Sequence, residues 1–286
     1  MRRMRDREES PSPPRPSVTL VLPAYNEAER LGPALDELFA YLRGQAPARN
    51  GGRPASDMGE VEVLVVDDGS TDETASLVER RTERQAAHAP KLRLLNEPHG
   101  GKGAAVKAGM LAARSDFVIF ADADMATPPD QLPLLTQALE TAHVALGSRV
   151  QPDGSDRRAS QPAHRRALGR MFHALAASWV TGPVPDTQCG FKGFRREAAH
   201  DLFARQQVQS IVFDAEIIHL ARKRGYAISI VPVQWSDKRG SRMRVRPWLA
   251  VRVLLDLLRI PLIHRRVARR PSAADGRTST RTLTGR

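Results

Sequence analysis

Phe117-Val-Ile-Phe120, continued by Ala121-Asp122-Ala123-Asp124, is the stretch on which the reading of this chain turns. Four apolar residues without polar alternation fit a strand buried on both faces of a parallel sheet. Two carboxylates then follow at spacing i, i+2 at the strand's carboxyl end. At that spacing the side chains diverge, so that one reaches a ribose hydroxyl and the other a hard divalent cation. Mg²⁺ uses one or two protein carboxylates and completes its shell with substrate phosphate oxygens. Asp is also common in turns, so the motif gains its weight from its company.

That company lies on both sides. Val18–Leu22 reads as a first strand ending at Pro23-Ala-Tyr-Asn-Glu27, with Asn26 the expected cap of a helix over 27–42. Residues 44–59, rich in Gly, Pro and Ala, read as a loop. Val61–Val66 is a second strand that runs into Asp67-Asp-Gly-Ser-Thr-Asp72. A helix from about 73 to 84 follows, with Ser70–Glu73 as its cap, and Asp67 or Asp68 is left to contact a ligand. Leu92–Leu95 is a third strand, and Gly100-Gly-Lys-Gly103 opens a helix through Ala113. Exposed amides, a helix N-terminus and Lys102 suit a phosphate, although the spacing matches neither a P-loop nor a dinucleotide fingerprint. A helix around 131–141 and a strand at 143–146 come next. Strands alternating with helices imply an α/β fold with a mostly parallel sheet, flanking helices and right-handed crossovers. Ligands of such sheets sit beyond the carboxyl ends of the strands, and all four polar motifs fall there, around one crevice.

The second half is looser. Residues 151–164 read as a loop, 165–180 as a helix, 186–192 as a polar loop, 213–223 as a helix, 228–233 as a strand and 235–246 as a basic loop. Residues 247–266 predict an amphipathic helix, strongly apolar, with arginines on both flanks. It suits a membrane interface, and it equally suits packing on the domain or a dimer contact.

The net charge of +12 is localised: residues 238–286 hold fourteen Lys and Arg against Asp256 and Asp275, which leaves the first 237 residues balanced. A basic tail suits an anionic partner. Nucleic acid is not expected, because the tail has few aromatics to stack bases. Cys189 is the only cysteine of 286 residues, so no intrachain disulfide can form; the reading favours a reducing compartment and an inert, packed thiol. Residues 1–17 are charged and Pro-rich without an apolar core, and read as a disordered lead-in rather than a signal peptide. The expected organisation is thus 1–17 disordered, 18–246 catalytic domain, 247–266 helix and 267–286 disordered basic tail. No apolar run reaches membrane-span length.

Leu22-Pro-Ala-Tyr-Asn-Glu27, Val65-Val-Asp-Asp-Gly-Ser-Thr-Asp72, Asn96 with Gly100-Gly-Lys-Gly-Ala-Ala105, and Phe120-Ala-Asp-Ala-Asp124 together resemble the inverting family-2 glycosyltransferases of the GT-A fold. Gly147-Ser-Arg149, Asp186-Thr-Gln-Cys-Gly-Phe-Lys192, Phe213-Asp-Ala-Glu216 and Trp235 with Gly240-Ser-Arg242 extend the resemblance to the dolichyl-phosphate (polyprenyl-phosphate) β-glucosyltransferases. It covers roughly residues 18–260, departing at the 44–60 insertion. It implies that Pro23, Tyr25 and Glu27 frame base and ribose, that Asp67 or Asp68 contacts base or ribose, and that Lys102 contacts the nucleotide. It also implies that Asp122 meets ribose or metal, that Asp124 meets the metal, and that the ion is Mg²⁺ or Mn²⁺. On the acceptor side Arg149, Lys192 and Arg242 are the candidates in matched motifs, with Arg165, Arg166 and Arg244 as further arginines suited to phosphate. Asp214 has three readings: a general base, a group that orients Lys192 or the acceptor, and a helix cap. The expected reaction moves glucose from UDP-glucose to a polyprenyl phosphate, on the cytoplasmic face of the plasma membrane. Another donor such as GDP-mannose, a non-lipid acceptor and nucleotidyl transfer are the alternatives.

Overall fold

Both faces of the first strands are apolar, and the sheet is accordingly covered on both sides. In β1 (Val18–Ala24) Val18, Leu20 and Leu22 enter one core and Val21 the other; in β2 (Val61–Asp67) Val63 and Val65 oppose Leu64 and Val66 in the same way. This is the pattern of a parallel strand buried between helix layers. The computed structural model describes residues 15–48, 52–84, 90–151, 153, 155, 177–236 and 247–270.

Among these residues the sheet also contains β3 (Lys91–Asn96), β4 (Phe117–Phe120), β5 (Val144–Ser148), β6 (Lys192–Arg195) and β7 (Ile228–Pro232), in the order β3-β2-β1-β4-β6-β5-β7. Only β6 runs antiparallel to its neighbours β4 and β5. Its register sets Lys192 opposite both Phe120 and Leu146. The amino end of β6 therefore lies where its neighbours have their carboxyl ends.

The helices are α1 (Ala28–Leu42), α2 (Thr74–Glu83), α3 (Lys102–Ala112), α4 (Leu132–Leu139), α5 (Arg196–Arg205), α6 (Phe213–Arg224) and α7 (Pro247–Ile263). One core packs α1 and α4 on the sheet through Leu31, Leu35, Leu38, Leu132 and Leu135. The other packs α3, α5 and α6 through Val106, Met110, Leu202, Phe203, Phe213 and Ile217. Phe120 lies within 6.4 Å, centroid to centroid, of Phe194, Phe203 and Phe213, so β4, β6, α5 and α6 share one aromatic cluster.

Four expectations change. β6 and α5 were not foreseen between 192 and 212. Asn26 does not cap α1: with φ of 54° it turns its carboxamide oxygen to the amides of Thr71, at 2.8 Å, and Asp72, at 3.3 Å. Ser70 does not cap α2 but accepts the Asn26 amide at 2.9 Å, and it is Asp72 that receives the Thr74 amide at 2.9 Å. The basic tail does not begin at 267, because Arg270 lies over the Tyr226 ring at 4.7 Å and donates its amide to the Arg224 carbonyl. Residues 1–14, 271–286 and most of 151–176 lie outside the described residues.

Candidate active site

The donor-side loops are tied to one another by hydrogen bonds. Asn26 and the amide of Glu27 hold the segment Ser70–Thr74, the latter through Thr74 Oγ1 at 2.8 Å. Asp68, almost fully buried, accepts the amides of Gly100 at 2.8 Å and Gly101 at 3.0 Å, and His99 Nδ1 lies 2.9 Å from its carboxylate. Gly101 adopts φ of 89°, a left-handed conformation that glycine takes without steric cost. Asp68 thus organises the glycine loop at the start of α3. Asp67 is buried to the same degree, yet only Oδ2 is engaged, by the Ser70 amide at 3.0 Å; Oδ1 is buried with no hydrogen-bond partner. A buried carboxylate oxygen left unpaired is costly. It is a built acceptor for an N–H or O–H group entering the crevice.

Tyr25 is exposed, and its ring stacks on His99 with centroids 4.2 Å apart. Pro23 is the penultimate residue of β1, opposite Val66. Glu27 is paired with Arg30, which also reaches Asp124 at 3.3 Å. Neither His99 nor Arg30 stood out in the sequence. His99 lies one residue outside the glycine motif. The Glu27–Arg30 spacing is a legible i, i+3 pair, but the reach to Asp124 is tertiary.

Asp122 and Asp124 stand beyond β4. Burial first, then the neighbouring Asp122 charge, pushes the Asp124 carboxyl above the usual range. Lys102 Nζ binds Asp122 Oδ1. Burial opposes its charge, but Asp122, Asp214 and Asp124 together hold the ammonium above its usual pKa. Two carboxylates that crowd each other are a donor set a hard divalent cation relieves. Among the described residues no three His, Cys, Asp or Glu groups form a protein cage. Mg²⁺-type ions use one or two protein carboxylates, the number that stands here. Gly190 approaches closely: a Cβ there would fall 2.4 Å from Asp122 Oδ2.

The segment before β6 brings the acceptor-side candidates to the same end of the sheet. Arg149, just past β5, makes a bidentate pair with buried Asp186, both distances 2.7 Å, and its guanidinium lies 5.7 Å from the Trp235 ring centroid. Burial works against that charge, yet Asp186 holds the guanidinium protonated beyond its ordinary range. Lys192 is fully buried and binds Asp214 at 2.7 Å and the Cys189 carbonyl. With no exposed surface, its ammonium faces Asp214 and the Cys189 carbonyl rather than the open crevice, which does not favour the direct phosphate contact expected of it. Asp214 opens α6 with its carboxylate on that ammonium. Cys189 is buried, and burial pushes its thiol up to about 12. Arg165, Arg166, Arg242 and Arg244 lie outside the described residues.

A three-layer α/β sheet with nucleotide-type loops at its carboxyl edge and paired acids beyond its central strand defines a glycosyltransferase of the GT-A fold. The profile of "Glycosyl transferase family 2" matches residues 19–203, and the chain belongs to that family. A dolichyl-phosphate beta-glucosyltransferase of Trichomonas vaginalis is 38% identical over 279 residues, spanning 90% of this chain and 78% of that one. The dolichyl-phosphate beta-glucosyltransferase of Homo sapiens is 32% identical over 257 residues, spanning 87% and 76%. Among solved structures, glucosyl-3-phosphoglycerate synthase from Mycobacterium tuberculosis in complex with UDP superposes with a TM-score of 0.59 at 18% identity, over 90% of this chain and 82% of that one. The same enzyme with Mn²⁺ and UDP-glucose gives 0.58 at 17% identity, over 90% and 81%.

Proposed function

We propose that this glycosyltransferase moves glucose from UDP-glucose to a polyprenyl phosphate, with inversion, to give a β-linked polyprenyl-phosphate glucose. The observation that carries the reading is the crowded pair Asp122 and Asp124, with the Lys102 ammonium bound to it, at the mouth of the four interlocked loops. Relatives at 38% and 32% identity that are named for glucosyl transfer to dolichyl phosphate support the choice of sugar and acceptor.

The buried, unpaired Oδ1 of Asp67 accepts a hydrogen bond from the nucleotide base or ribose. Tyr25 and His99 offer a stacked aromatic wall beside it. Asp122 and Asp124 would hold a divalent cation, which, when bound, neutralises the charge that develops on the departing diphosphate. Lys102, kept charged by its three neighbouring carboxylates, adds a fixed positive charge at the start of α3. The acceptor is a phosphomonoester with a second pKa of about 6, so it is mostly dianionic at neutral pH and needs little deprotonation. Its oxygen attacks the anomeric carbon as the bond to the diphosphate breaks, and UDP leaves. Asp214, bound to Lys192, orients the acceptor side. Arg149 and Arg242 supply the positive charge that meets the acceptor phosphate. An acceptor of this kind places the enzyme at a membrane surface, on the cytoplasmic face of the plasma membrane.

A radiolabelled donor panel with polyprenyl phosphate, with and without EDTA, tests the whole reading. Organic-soluble label from UDP-glucose, lost with EDTA and accompanied by UDP, is expected. Label only in water-soluble product would remove the lipid acceptor. Preference for GDP-mannose would change the donor, and pyrophosphate release would favour nucleotidyl transfer.

A further inference from the structure

Helix α7 has apolar residues on two faces. Leu257 and Ile260 are fully buried against Val180, Val208, Val212 and Ala215. Leu254, Leu255, Leu258 and Leu262 are 42, 60, 38 and 64% exposed. At about 100° of rotation per residue these four fall within an arc roughly 100° wide. Trp179 stands beside them, also exposed, with its indole N–H donated to the Leu258 carbonyl at 3.2 Å. Exposed leucines scattered singly are ordinary; four on one arc with a tryptophan at its edge are not.

The charges around this face are complementary to an anionic surface. Arg259, Arg265, Arg266 and Arg269 are exposed on or just beyond the helix. The helix's one acid, Asp256, turns inward to Ser210 Oγ at 2.7 Å and pairs with Arg259 at 3.2 Å, which leaves Arg265, Arg266 and Arg269 as the charges offered outward. We propose that the Leu254–Leu262 face of α7, with Trp179, is a docking surface for an anionic lipid bilayer. An indole with one polar end and leucines backed by arginines suit the headgroup boundary. No described helix is long and apolar enough to cross a bilayer, so the helix lies along the surface.

The seat beneath the helix is rigid. His264 Nε2 meets Glu216 at 2.6 Å, both groups fully buried, and Glu216 also accepts the amides of Gln207 and Val208. Glu216 stands two residues after Asp214 on α6. A bilayer on the leucine face is thereby fixed relative to the end of α6 that carries the acceptor-side carboxylate. The inference takes its purpose from the lipid-acceptor reading but can be tested apart from it.

The full chain is sedimented with phosphatidylcholine vesicles, with and without phosphatidylglycerol, all free of polyprenyl phosphate. The wild type is expected to sediment with the anionic vesicles. Leu255→Asp with Leu262→Asp is expected to weaken that binding roughly tenfold or more. Leu255→Gln with Leu262→Gln, which adds no charge, and Trp179→Ala are expected to weaken it less. Melting temperature and turnover with a short, water-soluble isoprenoid phosphate should stay unchanged in all three. A wild type that ignores anionic vesicles overturns the proposal. So does an undiminished double variant, or a dimer that these substitutions split while vesicles have no effect. A wild type that ignores the vesicles while lipid-phosphate transfer is intact removes the docking surface alone; intact vesicle binding with label only in water-soluble product removes the acceptor reading alone.

Discussion

Asp67 and Asp68 are adjacent and chemically identical, and nothing in the sequence says which of them meets the nucleotide. Their partners separate them. Asp68 is held by Gly100, Gly101 and His99, whereas Asp67 keeps a buried oxygen free. Asp67→Asn retains an acceptor for the Ser70 amide but turns an N–H₂ toward the incoming donor group. A hydrogen bond to a charged group contributes about 1.5–3 kcal/mol. The donor KM is therefore expected to rise roughly ten- to a hundredfold in steady-state kinetics, with kcat changed much less. Asp124→Asn removes the carboxylate that burial and Asp122 already push up. Metal-dependent turnover should vanish while donor-free melting temperature holds or rises, because a crowded charge is gone. Full activity in that variant would sink the assignment of the acid pair. The acid pair was legible as a motif because strand periodicity placed it at a carboxyl end. Arg30 was not, since its reach to Asp124 crosses 94 positions of chain.

At the scale of elements, β6 and α6 meet through Lys192 and Asp214, both buried. Removing one partner of a buried ion pair leaves the other uncompensated and costs about 3–5 kcal/mol. Lys192→Met is expected to lower the unfolding free energy measured in urea by that order. Lys192→Met with Asp214→Leu should recover most of the stability without recovering transfer, if the carboxylate orients the acceptor; recovered transfer would make the pair structural only. The four residues of β6 were invisible to pattern reading: Lys192-Gly-Phe-Arg195 is too short to show a period, and its direction is set by pairing with β4 and β5. α5 has a helical face in Ala198, Ala199, Leu202 and Phe203, but it follows directly on β6 with no loop to announce it. By contrast β1, β2 and β4 are mostly apolar runs, interrupted only by Thr19 and Glu62 before the polar motifs that bound them, and they were readable. α7 was foreseen as a helix with one apolar face. Its second apolar face emerges only once Leu257 and Ile260 find their cluster on α6 and the segment before it.

For the whole molecule, Asp201 is a useful probe of how α5 and α6 hold together. It receives Arg224 at 2.8 Å, Tyr226 at 3.0 Å and Arg205 at 3.0 Å. Burial alone would raise its pKa, but these three hydrogen bonds, with the Arg224 charge, bring it below the ordinary 3.8. A lowered carboxylate contributes stability above its unfolded value and loses it as pH falls through the folded one. Asp201→Asn should therefore cost about 1–2 kcal/mol near neutrality. In chemical denaturation the gap from wild type should close as pH falls below the ordinary 3.8; a gap that widens on acidification would refute the sign. The layered architecture was legible because alternating strands and helices admit few topologies. The crevice was legible because its loops all lie at one edge.

The reversal of β6 has an evolutionary consequence. The chain leaves the sheet after Ser148 and re-enters at Lys192, both on the crevice edge. The insert between them can lengthen, shorten or be exchanged without moving the register of β1, β2 or β4, on which the nucleotide loops hang. In a fold wired this way the nucleotide-loop half is separable from the insert between β5 and β6, so that a change of insert leaves those loops in place.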